Sequence, residues 1–364
     1  MIKVGYNYQI FTQQRYGGIS RIFSQIAPLI DSSDDFEVDI YAGLHENQYL
    51  ADDLITDIKG KFISYPPKGT KLFLAINSIF AKVALEVYKP DIVHETFYSN
   101  INTVPGKSKT VITVLDMIHE KFPIGSNDFL EIKARAIRRA DSVICISNHT
   151  KKDLIEILDI NPAKISVVHL GHAISDNLPS VTPVLCEPYL LYVGMRIPGY
   201  KNFERLLRAY ASNKIIKDNF KLVCFGPKPF SRYEIGLIQD LKIDTNVLYY
   251  SGNDALLANF YIHAESFIYP SLYEGFGIPP LEAMSFNCPV VCSNLSSIPE
   301  VIGDAGEYFD PYDIDSISEA IQKVVFSSTL KQDLRIRGKE RIKLFSWEKC
   351  ATETELVYKE MMGT

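Results

Sequence analysis

Two glutamates eight positions apart, Glu274 and Glu282, stand in the stretch "SLYEGFGIPPLEAM" (271–284). A glycine-rich turn and two prolines lie between them, and proline suits the first turn of a helix. The N–H groups of that turn, together with a flexible glycine backbone, form a ready site for a phosphate. Carboxylates would repel a phosphate, so their presence makes sense if each accepts hydrogen bonds from hydroxyl groups. A ligand with hydroxyls at both ends and phosphates between them is a nucleotide-sugar.

The plainer interpretation of these carboxylates is structural. The prolines predict a helix from Pro279 or Pro280 to about Asn287, and Glu282 would complement the dipole of that helix. Glu274 would then be a solvated loop charge. The structural interpretation suffices for Glu282 alone, whereas the whole constellation favours a ligand site.

A second loop, "VGMRIPGYKN" (193–202), carries cations that suit a diphosphate. Its second residue is a glycine, Gly194, and it offers Arg196 and Lys201. Asn202 is expected to cap the helix that follows. Exposed loop cations are common, so this pattern supports the ligand site only in combination with the two glutamates.

A third candidate is the glycine pair Gly17 and Gly18, in "YGGISR" (16–21), just before the first long helix. Without a Cβ atom, each glycine allows the backbone to approach a phosphate or a sugar closely. A plain turn before the helix is an equally good interpretation of the pair by itself.

Short β runs alternate with helical stretches along the chain. The predicted strands are 3–6, 37–43, 61–65, 91–96, 110–116, 142–147, 165–171, 189–194, 221–226, 247–252, 266–270 and 289–293. Helices are predicted near 18–30, 70–88, 128–140 and 148–159, and after Asn202, where Phe203, Leu206, Leu207 and Tyr210 have helical spacing. Buried strands that alternate with helices predict parallel sheets covered on both faces. The expected fold class is α/β, with two doubly wound, Rossmann-like domains that face each other across a ligand-binding cleft.

Composition excludes several classes of protein. A chain of 364 residues with 46% hydrophobic content is long enough for two domains, and a net charge of −6 argues against binding to nucleic acid. The six cysteines show no zinc-ligand spacing, and no signal peptide or membrane-spanning run is evident, so we expect reduced thiols in a cytoplasmic protein.

We divide the chain into a first Rossmann-like domain (1–175), a linker (176–188), a second such domain (189–345) and a final segment (346–364). The linker falls in the stretch 173–188, which has three prolines and no hydrophobic periodicity.

Over nearly its full length the chain resembles the retaining glycosyltransferases of family four, which have the two-domain GT-B architecture. The most specific element is the E-x7-E motif from Glu274 to Glu282. Beside it stand the G-x-R…K-N pattern of 193–202, the early "YGGISR" and the closing "FSWEKCATETELVY" (345–358). The resemblance implies that the first domain binds the acceptor and the second binds the nucleotide-sugar.

The resemblance also implies roles for single residues. Glu274 would contact the donor sugar and Glu282 the ribose, while Arg196 and Lys201 would bind the diphosphate. Backbone N–H groups toward the sugar and phosphate would come from Gly275, Phe276 and Gly277. The predicted donor site further includes Gly17, Gly18, Gly194 and Asn202. From about Trp347, the last helix would cross back onto the first domain.

One position departs from the family pattern. Relatives often have a histidine directly before the aspartate that ends the strand corresponding to 110–116, but here that position is Leu115. Asp116 is present, and His119 follows three residues later in the expected loop. We expect Asp116 and His119 to contribute to the catalytic site; the alternative is that His119 is an ordinary surface histidine.

The leaving group determines the expected mechanism. Cleavage of an anomeric C–O bond produces an oxocarbenium-like sugar and a nucleoside diphosphate whose charge must be stabilised. The one D-x-D sequence, Asp313 to Asp315, lies near a helix start and is expected to cap it. We therefore expect neither a metal nor another cofactor, and assign stabilisation of the charge to Arg196, Lys201 and helix N-termini. The resemblance implies retention of configuration, with the donor phosphate taking the proton of the acceptor.

The donor and the acceptor are chosen by resemblance alone. GDP-mannose is the first choice, from similarity to bacterial polysaccharide mannosyltransferases, and a UDP-sugar is the second; the acceptor would be a saccharide or a lipid-linked chain. A sugar-nucleotide epimerase of similar build and a non-catalytic nucleotide-sugar-binding protein are the alternatives. The segment 72–88, preceded by Lys68 and Lys71, could contact the inner membrane face, but a core helix is favoured.

Overall fold

The structure, a computed structural model, describes residues 1–50, 58–122, 124–172 and 182–364. These residues form two compact units. The first consists of Met1–Gly171 and Trp347–Thr364, and the second of His172–Ser346. Of the predicted linker 176–188, the part 176–181 lies outside the described residues. The part 182–188 has no helix or strand.

The first unit contains a sheet of seven parallel strands. They are β1 (Ile2–Tyr6), β2 (Phe36–His45), β3 (Ile58–Phe62), β4 (Ile92–Glu95), β5 (Lys109–Val114), β6 (Ser142–Cys145) and β7 (Ile165–Val167). Their order is β3-β2-β1-β4-β5-β6-β7. Every residue of β4 and β6 is buried, as expected for central strands of a parallel sheet with helices on both faces.

The second unit contains a sheet of six parallel strands. They are β8 (Tyr189–Val193), β9 (Lys221–Phe225), β10 (Val247–Tyr250), β11 (Ser266–Tyr269), β12 (Val290–Ser293) and β13 (Gly306–Phe309). The order β10-β9-β8-β11-β12-β13 is that of a doubly wound sheet, in which the direction of winding reverses between β8 and β11. The first sheet reverses in the same way between β1 and β4, so the expected fold class is confirmed.

Fifteen α-helices are assigned in the described ranges. In the first unit they are α1 (Gln9–Gln13), α2 (Gly18–Asp31), α3 (Thr70–Tyr88), α4 (Ile118–Lys121), α5 (Asn127–Arg139), α6 (Asn148–Leu158) and α15 (Trp347–Met362). In the second they are α7 (Phe203–Ser212), α8 (Lys214–Asn219), α9 (Arg232–Asp240), α10 (Asp254–His263), α11 (Ile278–Ser285), α12 (Ile298–Ile302), α13 (Ile314–Val325) and α14 (Ser328–Ile342). None in the described part of the chain has the length and hydropathy needed to cross a membrane.

Two elements differ from the sequence-based expectation in an instructive way. Strand β13, "GEYF", was not predicted, because it is short and lies at the sheet edge with a partly exposed glutamate, so it lacks a hydrophobic pattern. The segment 72–88 does form a helix, but it is not a core helix, since α3 exposes most of its aliphatic side chains.

The C-terminal helix α15 is fixed to the first sheet by buried polar groups. The Tyr358 hydroxyl lies 2.9 Å from the Tyr6 hydroxyl and 2.7 Å from His94 Nδ1. The other ring nitrogen of His94, Nε2, lies 2.8 Å from Thr113 Oγ1. Complete burial lowers the pKa of His94 to about 3, so the ring is neutral near pH 7. A neutral imidazole thus links β4 and β5 to α15.

This arrangement predicts that acid destabilises the first unit through His94. The unfolded chain binds a proton with the ordinary histidine pKa near 6.5, whereas the folded protein excludes it until about pH 3. The contribution is therefore complete above pH 6.5 and decreases by about 1.4 kcal/mol per pH unit as the pH falls toward 3. We expect urea unfolding at pH 7.5 and 5.0 to show a smaller loss of stability on acidification in His94→Gln than in the wild type. An equal loss in both proteins would contradict the assignment.

Candidate active site

The two loops predicted to hold the ligand leave adjacent strands of the second sheet. Residues 194–202 follow β8 and residues 270–277 follow β11, and these strands pair directly, with Phe267 beside Leu191. In a doubly wound sheet the connections on the two sides of such a pair go to opposite faces, which leaves the carboxyl ends of both strands accessible. The topology therefore places both loops at the switch point of this sheet.

Lys201 and Glu274 form an ion pair at this switch point. Lys201 Nζ donates a hydrogen bond to Glu274 Oε1 at 2.7 Å, and only 18% and 11% of the two side chains are exposed. Tyr269 is hydrogen-bonded to Glu274 as well. Burial and the nearby carboxylate raise the pKa of Tyr269 well above its ordinary value, so its hydroxyl stays a neutral donor. The arrangement presents one cation and one carboxylate, both held in place.

Two serines fix the backbone of Glu274. Its N–H donates to Ser296 Oγ at 2.9 Å, and the hydroxyls of Ser296 and Ser297 donate to its carbonyl oxygen at 2.5 and 2.9 Å. Ser297 Oγ also lies 2.8 Å from the Phe276 carbonyl oxygen, so its single proton is shared between the two carbonyls. Neither serine was predicted as part of the site, because a serine pair before "IP" suggests a helix cap. No side-chain cap forms there, and the hydroxyls instead bind the loop 270–277.

Helix α11 starts directly after this loop. Gly277 adopts φ +118°, a conformation that side chains with a Cβ rarely take, and this lets the chain turn into the helix at Ile278. The next two residues, Pro279 and Pro280, have no N–H, so the first turn can offer N–H groups to an anion only from Gly277 and Ile278. The phosphate site expected at this terminus therefore has fewer N–H donors than the N-terminus of an ordinary helix.

The remaining residues of the motif lie in the same segment. Gly275 and Phe276 occupy the turn between Glu274 and α11, and the Phe276 side chain is buried against Phe345. Glu282 lies on α11, half-buried, with Oε2 3.4 Å from the Tyr261 hydroxyl. The motif thus puts one glutamate in the loop and the other on the helix that follows it.

Asn202 does not cap helix α7 in the way that the sequence suggested. It occupies the N-cap position in a left-handed conformation, φ +56°, and makes no side-chain cap hydrogen bond. Its Nδ2 instead donates to the carbonyl oxygens of Pro270 and Pro311, at 3.0 and 2.8 Å. With 4% of its surface exposed, Asn202 joins the start of α7 to the segments that follow β11 and β13.

Gly194 opens the same loop with φ +128°. Its N–H donates to the Phe225 carbonyl at 2.9 Å, which extends the pairing of β8 and β9 by one residue. Because of this φ, a side chain at position 194 would strain the backbone, so glycine is required for the start of the loop.

Arg196 is a buried structural cation in this structure. Its Nε donates to Glu234 Oε1 at 2.7 Å and its Nη2 to the Lys228 carbonyl at 2.6 Å, and only 4% of the side chain is exposed. Three rings surround the guanidinium, at 4.8 to 5.6 Å from its central carbon: Phe203, Phe230 and Tyr249. At least two of its nitrogens are therefore committed to the protein. Arg196 and Lys201, predicted to share one role, have different surroundings.

The partner of Arg196 could have been suspected from the sequence. Glu234 stands three residues after Ser231, the spacing of a capping box, and the structure has both of its hydrogen bonds: Ser231 N to Glu234 Oε2 at 2.6 Å and Glu234 N to Ser231 Oγ at 3.2 Å. What the local spacing could not show is that the same carboxylate also binds Arg196, 38 residues away.

A cavity of about 890 Å3 adjoins Arg196, between the loop 195–199 and the helices α7 and α9. Among its lining residues, Glu204 accepts hydrogen bonds from Tyr233 and Arg208, at 2.7 and 2.8 Å. Lys201 and Glu274 do not line it. The cavity is therefore a feature separate from the ion pair at the switch point.

The candidate residues of the first unit follow β1 and β5. Gly17 and Gly18 start α2; Gly17 is extended, at φ 175°, and its carbonyl accepts from Ser20 Oγ at 3.1 Å. Strand β5 ends at Val114, two residues earlier than predicted, so Asp116 lies in the turn after it.

Asp116 and His119 lie at the start of a short helix, Asp116 in the segment before it and His119 within it. Asp116 Oδ1 accepts from Ile118 N at 3.0 Å, and its carbonyl accepts from the buried Lys133 Nζ at 2.7 Å. His119 lies in α4, not in the loop that was expected, and its ring centroid is 4.7 Å from that of Phe129. The candidates thus fall into two sets, one in each unit.

The expectation for Asp313 is confirmed. It is the N-cap residue of α13, and its Oδ1 accepts from Asp315 N at 2.9 Å.

The surroundings of Arg196 predict a large stability effect. Removal of one partner of a buried ion pair costs about 3–5 kcal/mol. For a domain of this size, that corresponds to a decrease in melting temperature of roughly 6 °C or more. We expect this decrease in Arg196→Met and in Glu234→Gln. In the double variant, the loss of stability should be smaller than the sum of the losses in the two single variants. Arg208→Met, which removes a half-exposed pair with Glu204 from the same region, is the control and should cost about 0.5 kcal/mol or less. A wild-type melting temperature for Arg196→Met would contradict this account.

Comparison with known proteins gives two family matches. Residues 16–175 match the family described as "Glycosyltransferase Family 4", and residues 176–341 match "Glycosyl transferases group 1". The two matches together span the chain from residue 16 to residue 341.

Individual relatives point in the same direction. O-antigen chain mannosyltransferase B of Escherichia coli is 33% identical over 234 residues, which are 60% of this chain and 61% of that protein. The serotype-specific mannosyltransferase WbdA of Escherichia coli is 26% identical over 273 residues, 69% of this chain and 33% of that protein. The matches thus span about three-fifths and one-third of the length of these relatives.

The fold has close structural counterparts. The crystal structure of Anabaena HepE in complex with UDP and glucose is 15% identical and covers 100% of both chains, with a TM-score of 0.74. This chain therefore belongs to glycosyltransferase family four, has the GT-B fold with two Rossmann-like domains, and resembles bacterial mannosyltransferases.

Proposed function

We propose that the protein is a retaining glycosyltransferase that moves a hexose from a nucleotide-sugar to a saccharide or lipid-linked acceptor in cell-surface polysaccharide synthesis. The observation that carries this proposal is the ion pair of Lys201 and Glu274, held at the switch point of the second sheet. Ligands of doubly wound sheets bind at this point. A cation beside a carboxylate suits a ligand that has both phosphate and hydroxyl groups.

Lys201 is proposed to stabilise the leaving group. When the bond from the anomeric carbon to the phosphate oxygen breaks, both electrons stay with the nucleoside diphosphate, and its new charge is stabilised by the ammonium group. Glu274 accepts hydrogen bonds from the donor sugar, and its fixed backbone keeps that carboxylate in position. Glu282, on helix α11, accepts from the ribose hydroxyls.

Arg196 supports this site in a different way from Lys201. Since its Nε and Nη2 are bound to Glu234 and Lys228, it is proposed to act mainly as a positioning residue that holds the loop 194–202 against α9. Donor binding by Arg196 itself would require a change in these hydrogen bonds. Gly194 and Asn202 likewise shape the loop rather than contact the donor.

Retention follows if the acceptor hydroxyl attacks on the face from which the diphosphate departs. The acceptor oxygen forms the new bond to the anomeric carbon, and its proton passes to the departing phosphate oxygen. No protein base is needed in this scheme. The proposed reaction also needs no metal, because stabilisation of the charge is assigned to Lys201 and to the N–H groups of Gly277 and Ile278.

The first unit is proposed to bind the acceptor. Asp116 and His119 follow β5, and Gly17 and Gly18, which stay predicted donor contacts, follow β1, so all four lie toward the carboxyl edge of the first sheet. A contact of His119 with the donor sugar or the acceptor remains part of the proposal, although its ring packs on Phe129.

The donor is proposed to be GDP-mannose, which is supported by the names of the two mannosyltransferase relatives. A UDP-sugar is the second candidate, because the structural counterpart HepE was crystallised with UDP and glucose. We place the reaction in the cytoplasm, at the inner face of the membrane, where a lipid-linked acceptor would be available.

The test is transfer from a panel of nucleotide-sugars, with GDP-mannose first, in the presence of EDTA. We expect transfer to a lipid-linked or oligosaccharide acceptor, and this activity should persist in EDTA. The anomeric configuration of the transferred sugar should be the same in the product as in the donor. Glu274→Gln should lower kcat/KM by roughly 10- to 150-fold or more, because a charged hydrogen-bond acceptor is lost. Glu319→Gln, on the exposed side of α13, is the matched control and should be silent.

The same panel separates the alternatives. Conversion of the donor without any acceptor would indicate a sugar-nucleotide epimerase, and binding without turnover would indicate a non-catalytic protein. Either result, or activity that depends fully on Mg²⁺ or Mn²⁺, would contradict the corresponding part of the proposal.

A further inference from the structure

Helix α3 of the first unit exposes its aliphatic side to solvent. Its buried residues are small or polar for the most part: Asn77, Ser78, Ala81, Ala84 and Leu85. Its exposed aliphatic and aromatic residues recur at helical spacing and form one stripe, which we call the α3 apolar face: Leu72, Ile76, Ile79, Phe80, Val83 and Val87. Their exposure ranges from 37% for Phe80 to 69% for Ile79.

The orientation of α3 is set by specific contacts. Asn77 donates from Nδ2 to the Leu44 carbonyl and to Thr12 Oγ1, both at 2.8 Å, and its Oδ1 accepts from Leu44 N at 2.8 Å. On the same side, Ala81 and Ala84 pack against buried residues such as Tyr8 and Tyr41. Rotation of the helix to bury the apolar face would leave a buried amide without partners. The face is therefore exposed because of how the helix is attached.

The border of the face is basic. Lys71 and Lys82 are exposed and lie eleven residues apart, or about three helical turns, so they share one side of the stripe. Lys68 precedes the helix, Lys89 ends it, and both are exposed; Glu86 is the one acidic residue between 67 and 89. The whole chain has a net charge of −6, so this local excess of lysine is not a general property of the surface.

We propose that the α3 apolar face binds the surface of a membrane that contains anionic phospholipids. A helix with an exposed apolar stripe and a lysine border lies in the plane of a membrane, with the apolar side chains among the acyl chains and the lysines at the phosphates. Nineteen residues make α3 about 28 Å long, which is enough for extended contact along the surface.

A second copy of the chain suits this face less well. A two-fold contact between α3 helices would bring the lysine borders of both copies together, with only Glu86 of each to compensate. Anionic lipid headgroups complement the same lysines without such repulsion. This inference specifies the membrane contact of the proposed function. It can be tested without a sugar donor, so its failure would leave the transfer reaction untouched.

The experiment is co-sedimentation of the full chain with vesicles of phosphatidylcholine alone or enriched in phosphatidylglycerol. We expect the wild type to pellet with the anionic vesicles at low salt, and less at high salt because the lysine contribution is screened. The double change Ile79→Glu with Val83→Glu should lower the bound fraction about tenfold or more, since charged groups replace apolar side chains in the membrane interface. Ile215→Glu, which changes a 54% exposed isoleucine in the second unit, is the control and should bind like the wild type.

Two further measurements keep the result decisive. Both substituted residues are exposed, so the melting temperature of the double variant should equal that of the wild type, and the charge reversals Lys71→Glu and Lys82→Glu should weaken binding to anionic vesicles independently. The proposal is overturned if the wild type does not bind these vesicles, or if the double variant binds them as well as the wild type does. A concentration-dependent dimer that the double variant dissociates, without vesicle binding, would assign the face to a second copy.

Discussion

The candidate site depends on the direct pairing of β8 with β11. This pairing is where the winding of the second sheet reverses, so the loops after the two strands end side by side. Lys201 comes from one loop and Glu274 from the other, 73 positions apart in the sequence, and only the sheet order brings them to 2.7 Å. Hydrogen bonds of Asn202 in one loop, and of the two serines to the other, keep each loop in the conformation that the ion pair requires.

The cations of the site illustrate how burial separates roles that look alike. Arg196 and Lys201 belong to one short loop, and either could neutralise a phosphate. The guanidinium of Arg196 contacts Glu234 and a group of aromatic rings, whereas Lys201 forms an ion pair with Glu274. A buried guanidinium with fixed partners is costly to move, because breaking such a pair leaves an uncompensated charge. Stability and catalysis are therefore expected to respond differently to loss of the two residues.

Local patterns were sufficient for the fold class and for the helices that follow the two candidate loops. Helical spacing of Leu206, Leu207 and Tyr210 identified α7, whose buried side contains those residues, and the prolines marked the start of α11 within two residues. The same patterns failed where a partner lies far along the chain. Nothing local distinguishes a capping Asn202 from one that binds two distant carbonyls. Likewise, the periodicity of α3 shows an apolar side but not whether that side faces the core, which depends on the hydrogen bonds of Asn77.

Binding of nucleoside diphosphates to the Lys201→Met variant tests the central claim most directly. Isothermal titration with GDP and with UDP tests the proposed contact between the ammonium group and the diphosphate without the need for an acceptor. Loss of one charge-assisted hydrogen bond should raise Kd by roughly 10- to 150-fold for the preferred nucleotide, and Lys214→Met, an exposed lysine in the same unit, should leave it unchanged. Wild-type affinity in Lys201→Met would contradict the assignment of the switch point as the donor site.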